Sequence, residues 1–262
     1  MKASTKNNYI YYLIGIIGLF IIWFLITKII GEEKLIFPGP FATFKNLFLL
    51  LQKGSTYLSI LYSLLKTTIG FLIAFVLALI VGTIGGLSNK FDMILKPLIT
   101  TLKAIPTASV LFLFIVMVGF ENSPILVVIL ITFPILYEAI SKGINSVPKA
   151  IIEASKLEKG STLKNLLYIR FPLSFNYFLI GIASSFGLAF KVEIMSEVLS
   201  GANKKGIGYA IKIAQISDVT MVPIFSWTII AIVTLFIISI ISGAISKKIS
   251  NNIMWLYDKI VL

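Results

Sequence analysis

The feature that most limits how this chain can fold is the length of its apolar runs. "YIYYLIGIIGLFIIWFLITKII", Tyr9 to Ile30, carries a single charge, Lys28, near its end, and about 20 such residues cross a bilayer as a helix. Inside lipid no water is available to the peptide groups, so the backbone must bond to itself, which a helix does within one segment. A cleaved leader would have a shorter apolar region and a small-residue cleavage site. Trp23 to Ile30 instead continues apolar, which predicts a retained first helix. Comparable runs follow at Leu61 to Leu87, Leu98 to Gly119, Pro124 to Ile140, Leu173 to Phe190 and Val222 to Ala244. The pattern predicts an all-α membrane protein with about six transmembrane helices. After Pro38 and Pro40, the residues Phe41, Phe44, Leu47, Phe48 and Leu51 recur at helical spacing, as in an amphipathic helix lying on the membrane surface. Lys66 and Glu138, near the ends of their spans, are expected to snorkel toward water.

Composition narrows the chemistry. Only 13% of the 262 residues are charged, against about 25% in a soluble domain, so little chain remains for a soluble module. Cys and His are both absent. That excludes thiolate and imidazole metal sites, disulfides, and Ser-His or Cys-His nucleophile pairs. Basic residues outnumber acidic ones 23 to 11, but the lysines lie between apolar spans, where they set topology rather than bind nucleic acid. With a cytoplasmic N-terminus, thirteen basic residues fall in inside segments, among them Lys90, Lys96, Lys142, Lys149, Lys164 and Arg170, and six fall outside. The asymmetry predicts that both termini are cytoplasmic.

"EASKLEKGSTLKNLLYIRFP", Glu153 to Pro172, then lies on the cytoplasmic face. A plain connection between spans needs about 2–8 residues, and this one is longer and patterned. Ile151, Ala154 and Leu157 share a helical face, Gly160 suits a helix C-terminus, and Ser161 suits the next N-cap. Leu163, Leu166 and Leu167 form a second apolar face that is expected to end before Pro172. Such a pair of short helices either lies flat on the headgroups or docks onto a soluble partner.

The stretch resembles the EAA motif of bacterial ABC importer permeases, in which Glu-Ala-Ala is followed by a Gly and later by a Leu-Pro pair. Glu153, Ala154 and Pro172 match it; Ser155 replaces the second Ala, Phe171 replaces the Leu, and Gly160 sits one place beyond the motif Gly. "FPGPFATFKNLFLLLQKG", "LKPLITTLKAIPTASVLFLFIVMVGF" and "FGLAFKVEIMSEVLSGANKKGIGYAI" are similar to segments of the nitrate/sulfonate/taurine branch of that family, which also includes permeases for thiamine-precursor pyrimidines. The resemblance implies a type I ABC importer (MetI-like) permease fold in a bacterial inner membrane. It implies two permease copies, two cytoplasmic ATPase subunits and an external substrate-binding protein. Glu153, Ala154, Ser155, Leu157, Gly160 and Pro172 would form the ATPase-coupling element. No phosphate-binding Gly-Lys-Ser/Thr loop occurs in the chain, so no cofactor is expected here, with ATP and Mg on the partner ATPase.

The implied organisation is a first helix and external amphipathic helix over residues 1–60, a core permease domain over 61–246 with coupling helices at 148–172, and a cytoplasmic tail over 247–262. Charge also enters apolar sequence at Lys191, Glu193 and Glu197. Groups at such depth line a pathway or pair in the outer headgroup zone. "GTIGG" at Gly82 to Gly86 and "GIASS" at Gly181 to Ser185 are expected to pack helices closely. The rival reading, an ion-driven transporter or channel, would more often show repeated halves with broken helices, and no clear repeat is visible. The Cys-free background allows a direct check of sidedness by labelling single-cysteine variants of intact cells. Ser55→Cys, Asn122→Cys and Asn203→Cys should react from outside, and Ser4→Cys, Ser161→Cys and Asn251→Cys only after permeabilisation.

Overall fold

The computed structural model describes residues 5–31, 37–157, 161–201 and 205–261, all helices and their connections. In order they are α1 (Thr5–Ile30), α2 (Pro40–Leu51), α3 (Gly54–Leu87), α4 (Asn89–Ala104), α5 (Thr107–Asn145), α6 (Lys149–Leu157), α7 (Thr162–Asn165), α8 (Phe171–Ser200), α9 (Ile207–Ser217) and α10 (Val222–Val261). A π-helical turn, Leu166–Arg170, joins α7 to α8.

Three helices, α3, α5 and α8, form the centre. Leu111, Val127, Val128, Leu136, Tyr137, Ile140 and Ile144 of α5 pack with Phe71, Ala74 and Ala78 of α3 and with Phe178, Ala189 and Val192 of α8. In lipid the hydrophobic effect does not drive helices together, so close van der Waals contact between small residues does much of the work. The glycines of α3 show it: a Cβ on Gly70 would lie 2.9 Å from Val128, and one on Gly86 would lie 2.6 Å from the Ile144 side chain. Gly181 of α8 meets Ala139 of α5 in the same way, with a Cβ reaching within 2.4 Å. The packing expected of "GTIGG" and "GIASS" is present.

These contacts also set direction. Gly70 meets Ile125 and Val128, Gly82 meets Tyr137 and Ile140, and Gly86 meets Ser141 and Ile144. Numbers rise together, so α3 and this part of α5 run parallel. Two neighbouring spans in the same direction require the chain to cross back between them. The return is made in pieces between Leu87 and Phe120. Near one end of α4, Asp92 accepts hydrogen bonds from Tyr137 (2.7 Å) and Ser141 (3.0 Å), and near the other Lys103 pairs with Glu138. Both contacts fall on one stretch of α5, so α4 lies across the ends of its neighbours. The chain breaks at Ile105–Pro106, and residues 107–118 carry it back to Gly119, whose φ of 81° turns it into the rest of α5.

Length and apolarity single out five helices among the described residues as able to cross: Ile10–Ile30, Gly54–Leu87, Thr107–Asn145, Thr162–Ser200 and Val222–Ala244. The sixth crossing expected from sequence is the broken return path. The run Leu98 to Gly119 is therefore not one straight span, because Pro106 interrupts it and its first part belongs to α4.

α2, α9 and α10 lie against the outside of the central three. Phe190, Ile207, Trp227 and Ile230 form a second core there, and Asn46 of α2 donates to Ser226 of α10 at 3.1 Å. α1 touches the rest mainly through rings: Trp23 contacts Phe44 and Phe225, and its Nε1 donates to the Pro38 carbonyl.

Gly86→Ala should be the most damaging small substitution on α3, since backbone and Cβ atoms rather than flexible tips stand in the way; overpacking of this kind costs about 1–3 kcal/mol. Gly15→Ala, with open space around it, should have no effect. Thermal unfolding of the two purified variants in detergent measures the difference.

Candidate functional site

Two polar regions stand out, one at each end of the central helices. At the first, α6 and α7 project from the junction of α5 and α8. Pro148 precedes α6, its carbonyl accepting from Ile151 N at 3.2 Å. Ile152 turns inward and is 8% exposed, whereas Ile151 is 41% exposed and Glu153 and Ala154 are also exposed. The face read from sequence, with Ile151 and Ala154 on it, is the outward one. Ser155 hydrogen-bonds Asn165, which is buried, and so clamps α6 to α7. Ser161 caps α7 by accepting from Lys164 N at 3.2 Å. Leu163, Leu167 and Tyr168 are exposed beside this pair. Leu157 closes α6, and Gly160 lies outside the described residues.

Pro172 does not end the second helix, contrary to its expected role. It sits in the first turn of α8, after the π-helical turn in which Phe171 N donates to Leu166 O. Proline has no N–H to give the preceding turn, and a one-residue widening is a known way for a helix to pass such a position. α7 therefore runs on into α8. Arg170, the chain's single arginine, donates from Nη1 to the Ile144 carbonyl at 3.2 Å, at the C-terminal end of α5. Gly143, next to it, packs on Ser174, Tyr177 and Phe178 of α8. The projecting pair is thus tied to two central helices by named bonds and contacts.

The second region lies at the opposite end, between α3, α8 and α9. Glu193 and Glu197 are one turn apart on α8 and both fully buried, while Lys191 is exposed. The three do not come together. Glu197 Oε2 accepts from Ser63 Oγ at 2.8 Å and from Gly208 N at 2.9 Å. Ser63 Oγ in turn accepts from Ile207 N at 2.9 Å. The carboxylate thus sits at the N-terminus of α9, where free N–H groups and the helix dipole favour negative charge. Room for it depends on glycine. A Cβ at Gly206, whose φ is 123°, would lie 2.5 Å from Glu197 Oε1, and one at Gly208 would lie 2.5 Å from the Ile194 carbonyl. Lys66 is 7% exposed and does not snorkel: its Nζ donates to the Glu121 carbonyl at 2.8 Å. Glu138 is half-buried and paired with Lys103 and Lys142.

Sequence reading missed Ser63, Lys66, Asn165, Arg170 and the two glycines as functional positions. Two signals for them were present: a lone charge well inside an apolar run at Lys66, and "GIG" at the opening of a helix at Gly206 to Gly208. Nothing local marks Ser63 or Asn165, whose partners are 134 and 10 residues away.

The chain is similar to known proteins over most of its length. Residues 70–251 match the family described as the binding-protein-dependent transport system inner membrane component. A putative aliphatic sulfonates transport permease protein of Bacillus subtilis is 27% identical over 198 residues, covering 74% of this chain and 70% of that one. A nitrate import permease protein of Synechococcus elongatus is 29% identical over 202 residues, covering 72% and 71%. Among solved structures, the inward-facing MetNI methionine ABC transporter superposes with a TM-score of 0.62 at 13% identity, over 72% of this chain and 94% of that one.

Ser63→Ala removes one donor from a buried carboxylate and one acceptor from Ile207 N; an unsatisfied buried group costs about 1–3 kcal/mol. Gly208→Ala should be worse, because the obstructing atoms are backbone. Both should raise the protease sensitivity of the segment after Ser200 in detergent-purified protein without changing cleavage near α6.

Proposed function

We propose a working role from one premise: the chain belongs to the family of binding-protein-dependent transport system inner membrane components. It is accordingly a non-catalytic, multi-pass inner-membrane permease subunit of an ABC importer, with an ATPase and a binding protein as partners. ATP acts on the ATPase, and no cofactor belongs to this chain. The finer reading is that two copies enclose the pathway, that both termini and α6 face the cytoplasm, and that α6 is the surface on which the ATPase acts.

The observation that carries this reading is the exposed face of α6. Ile151 and Ala154 point away from the central helices although they are apolar, and Glu153, exposed at mid-helix, stands beside them. A helix of nine residues is too short to be stable alone in water, and this one is clamped by Ser155 to Asn165 and through Arg170 to α5. It is rigidly held yet uncovered. The thirteen-to-six distribution of basic residues supports a cytoplasmic position. Closure of an ATPase dimer would move α6, and packed helices respond by switching between discrete arrangements rather than bending continuously. Apolar contact should supply most of the joint's affinity, since exposed ion pairs contribute about 0–1 kcal/mol.

For the substrate, the relatives named for sulfonates and nitrate support a small anionic solute. A thiamine-precursor-like pyrimidine is the alternative within the same branch. The exposed lysines on the far side, Lys45, Lys53 and Lys205, would favour anion approach.

Ala154→Asp places a carboxylate where a partner should bury it, which costs several kcal/mol without a counter-charge. The expected result is a fully inserted protein that no longer copurifies with its ATPase. Glu153→Ala should be milder, since Glu153 is exposed, lies beyond the first turn of α6 and offers the joint at most an ion pair of about 0–1 kcal/mol. Normal ATPase binding and uptake by Ala154→Asp would refute the coupling role. Uptake of a neutral pyrimidine, but of neither nitrate nor a short alkanesulfonate, by vesicles holding the full complex would refute the anion assignment.

A further inference from the structure

An ion enclosed among apolar helices is costly unless a partner offsets its lost hydration, and in membrane proteins such groups mark functional positions. Glu193 is 0% exposed, and neither of its carboxylate oxygens has a hydrogen-bond partner. Its neighbour Glu197 is different, with Ser63 and Gly208 donating to it. Among the described residues of the central helices, Glu193 is therefore the carboxyl whose two oxygens both lack a partner.

The register of α3 against α8 places a cation opposite it. Ser63 meets Glu197, and the Phe71 ring packs edge-on against Phe186, with centroids 5.0 Å apart. Numbers rise on one helix as they fall on the other, so the helices are antiparallel. Lys66, three residues beyond Ser63, falls level with Glu193, four residues before Glu197. Yet the two are not paired. Among the described residues the ion pairs are those of Glu138 with Lys103 and Lys142. Lys66 Nζ is taken by the Glu121 carbonyl, 2.8 Å away, and lies 5.1 Å from the centre of the Tyr62 ring.

Glu121 belongs to the first turn of α5 after the Gly119 turn. A Cβ at Gly119 would meet nothing within 4 Å, so there is open space at this turn, and its φ of 81° belongs to glycine. The carbonyl that holds Lys66 thus sits beside a glycine turn, while Glu193 sits on the helix continuous with α7, to which Ser155 ties α6.

We propose that Lys66 is a two-position contact: the Glu121 carbonyl holds its ammonium in the arrangement seen here, and Glu193 takes it in the alternative arrangement of the transport cycle. The arrangement seen here leaves Glu193 without a partner, and the alternative one supplies it. A long flexible lysine can exchange between them for a shift of a few ångströms between α5 and α8. The exchange gives the central helices two discrete states, as coupling between distant sites requires. The inference rests on the importer reading above.

The test uses the full complex of permease, ATPase and binding protein. In the Cys-free chain, Lys66→Cys with Glu193→Cys should cross-link with yields that differ several-fold between nucleotide-free and Mg-ATP/vanadate-trapped complexes. Equal yields in the two states would overturn the proposal. Lys66→Met and Glu193→Gln should each lower ATPase turnover in assembled complexes about tenfold, the effect of about 1.4 kcal/mol on the alternative state. The exchanged pair, Lys66→Glu with Glu193→Lys, should recover most of that loss. Unchanged turnover in the single variants, or an exchanged pair no better than either single variant while still assembled, would also overturn it. If the wild-type chain does not assemble with an ATPase, the importer reading itself fails, a separate outcome.

Discussion

The contact between the glycine face of α3 and the β-branched face of α5 is the constraint on which the rest depends. Gly70, Gly82, Gly85 and Gly86 allow Val128, Ile140, Tyr137 and Ile144 to approach their backbone. Because the two helices run parallel, that contact forces a return crossing between them, and the interrupted path through α4 and residues 107–118 is the result. It also leaves a groove in which α8 can lie antiparallel to both. The polar bonds at the ends, Asp92 with Tyr137 and Arg170 with Ile144, then hold a geometry that packing has already selected.

Much of this was legible in the sequence because the bilayer leaves so few options. Long apolar runs must be helices, clustered small residues such as Gly82 to Gly86 mark close packing, and a patterned polar insert must be structured. The run Leu98 to Gly119 was misread as one span because its composition is continuous while its backbone is not. Pro106 was visible, but whether a proline kinks a span or divides it depends on neighbours far away in sequence. Pro172 was misread in the opposite sense: a residue that normally stops a helix is accommodated by one wider turn.

At the sites, residue type was readable and partnership was not. Glu153 and Ala154 could be placed on an uncovered helix because their pattern is local. Glu193 and Glu197 could be identified as unusual, but their different circumstances depend on Ser63, Lys66 and the start of α9, more than 120 residues from Ser63 in the case of Glu197. No spacing rule within α8 separates the carboxylate with donors from the one without. Lys66 was taken for an interfacial lysine for the same reason, since its position in the run says nothing about which way its ammonium turns.

The unbroken passage from α7 through the π-helical turn into α8 has a mechanical consequence. Thr162–Ser200 is a single rod of 39 residues, about 58 Å long at a rise of 1.5 Å per residue. A tilt of about 5° imposed at one end of such a lever becomes about 5 Å at the other, close to one helical turn. The transmission is geometric and works in both directions: a load applied where Glu197 grips α9 is felt where Ser155 clamps α6. A continuous rod also needs no intermediate joint, so a displacement on one face of the membrane reaches the other along a single element.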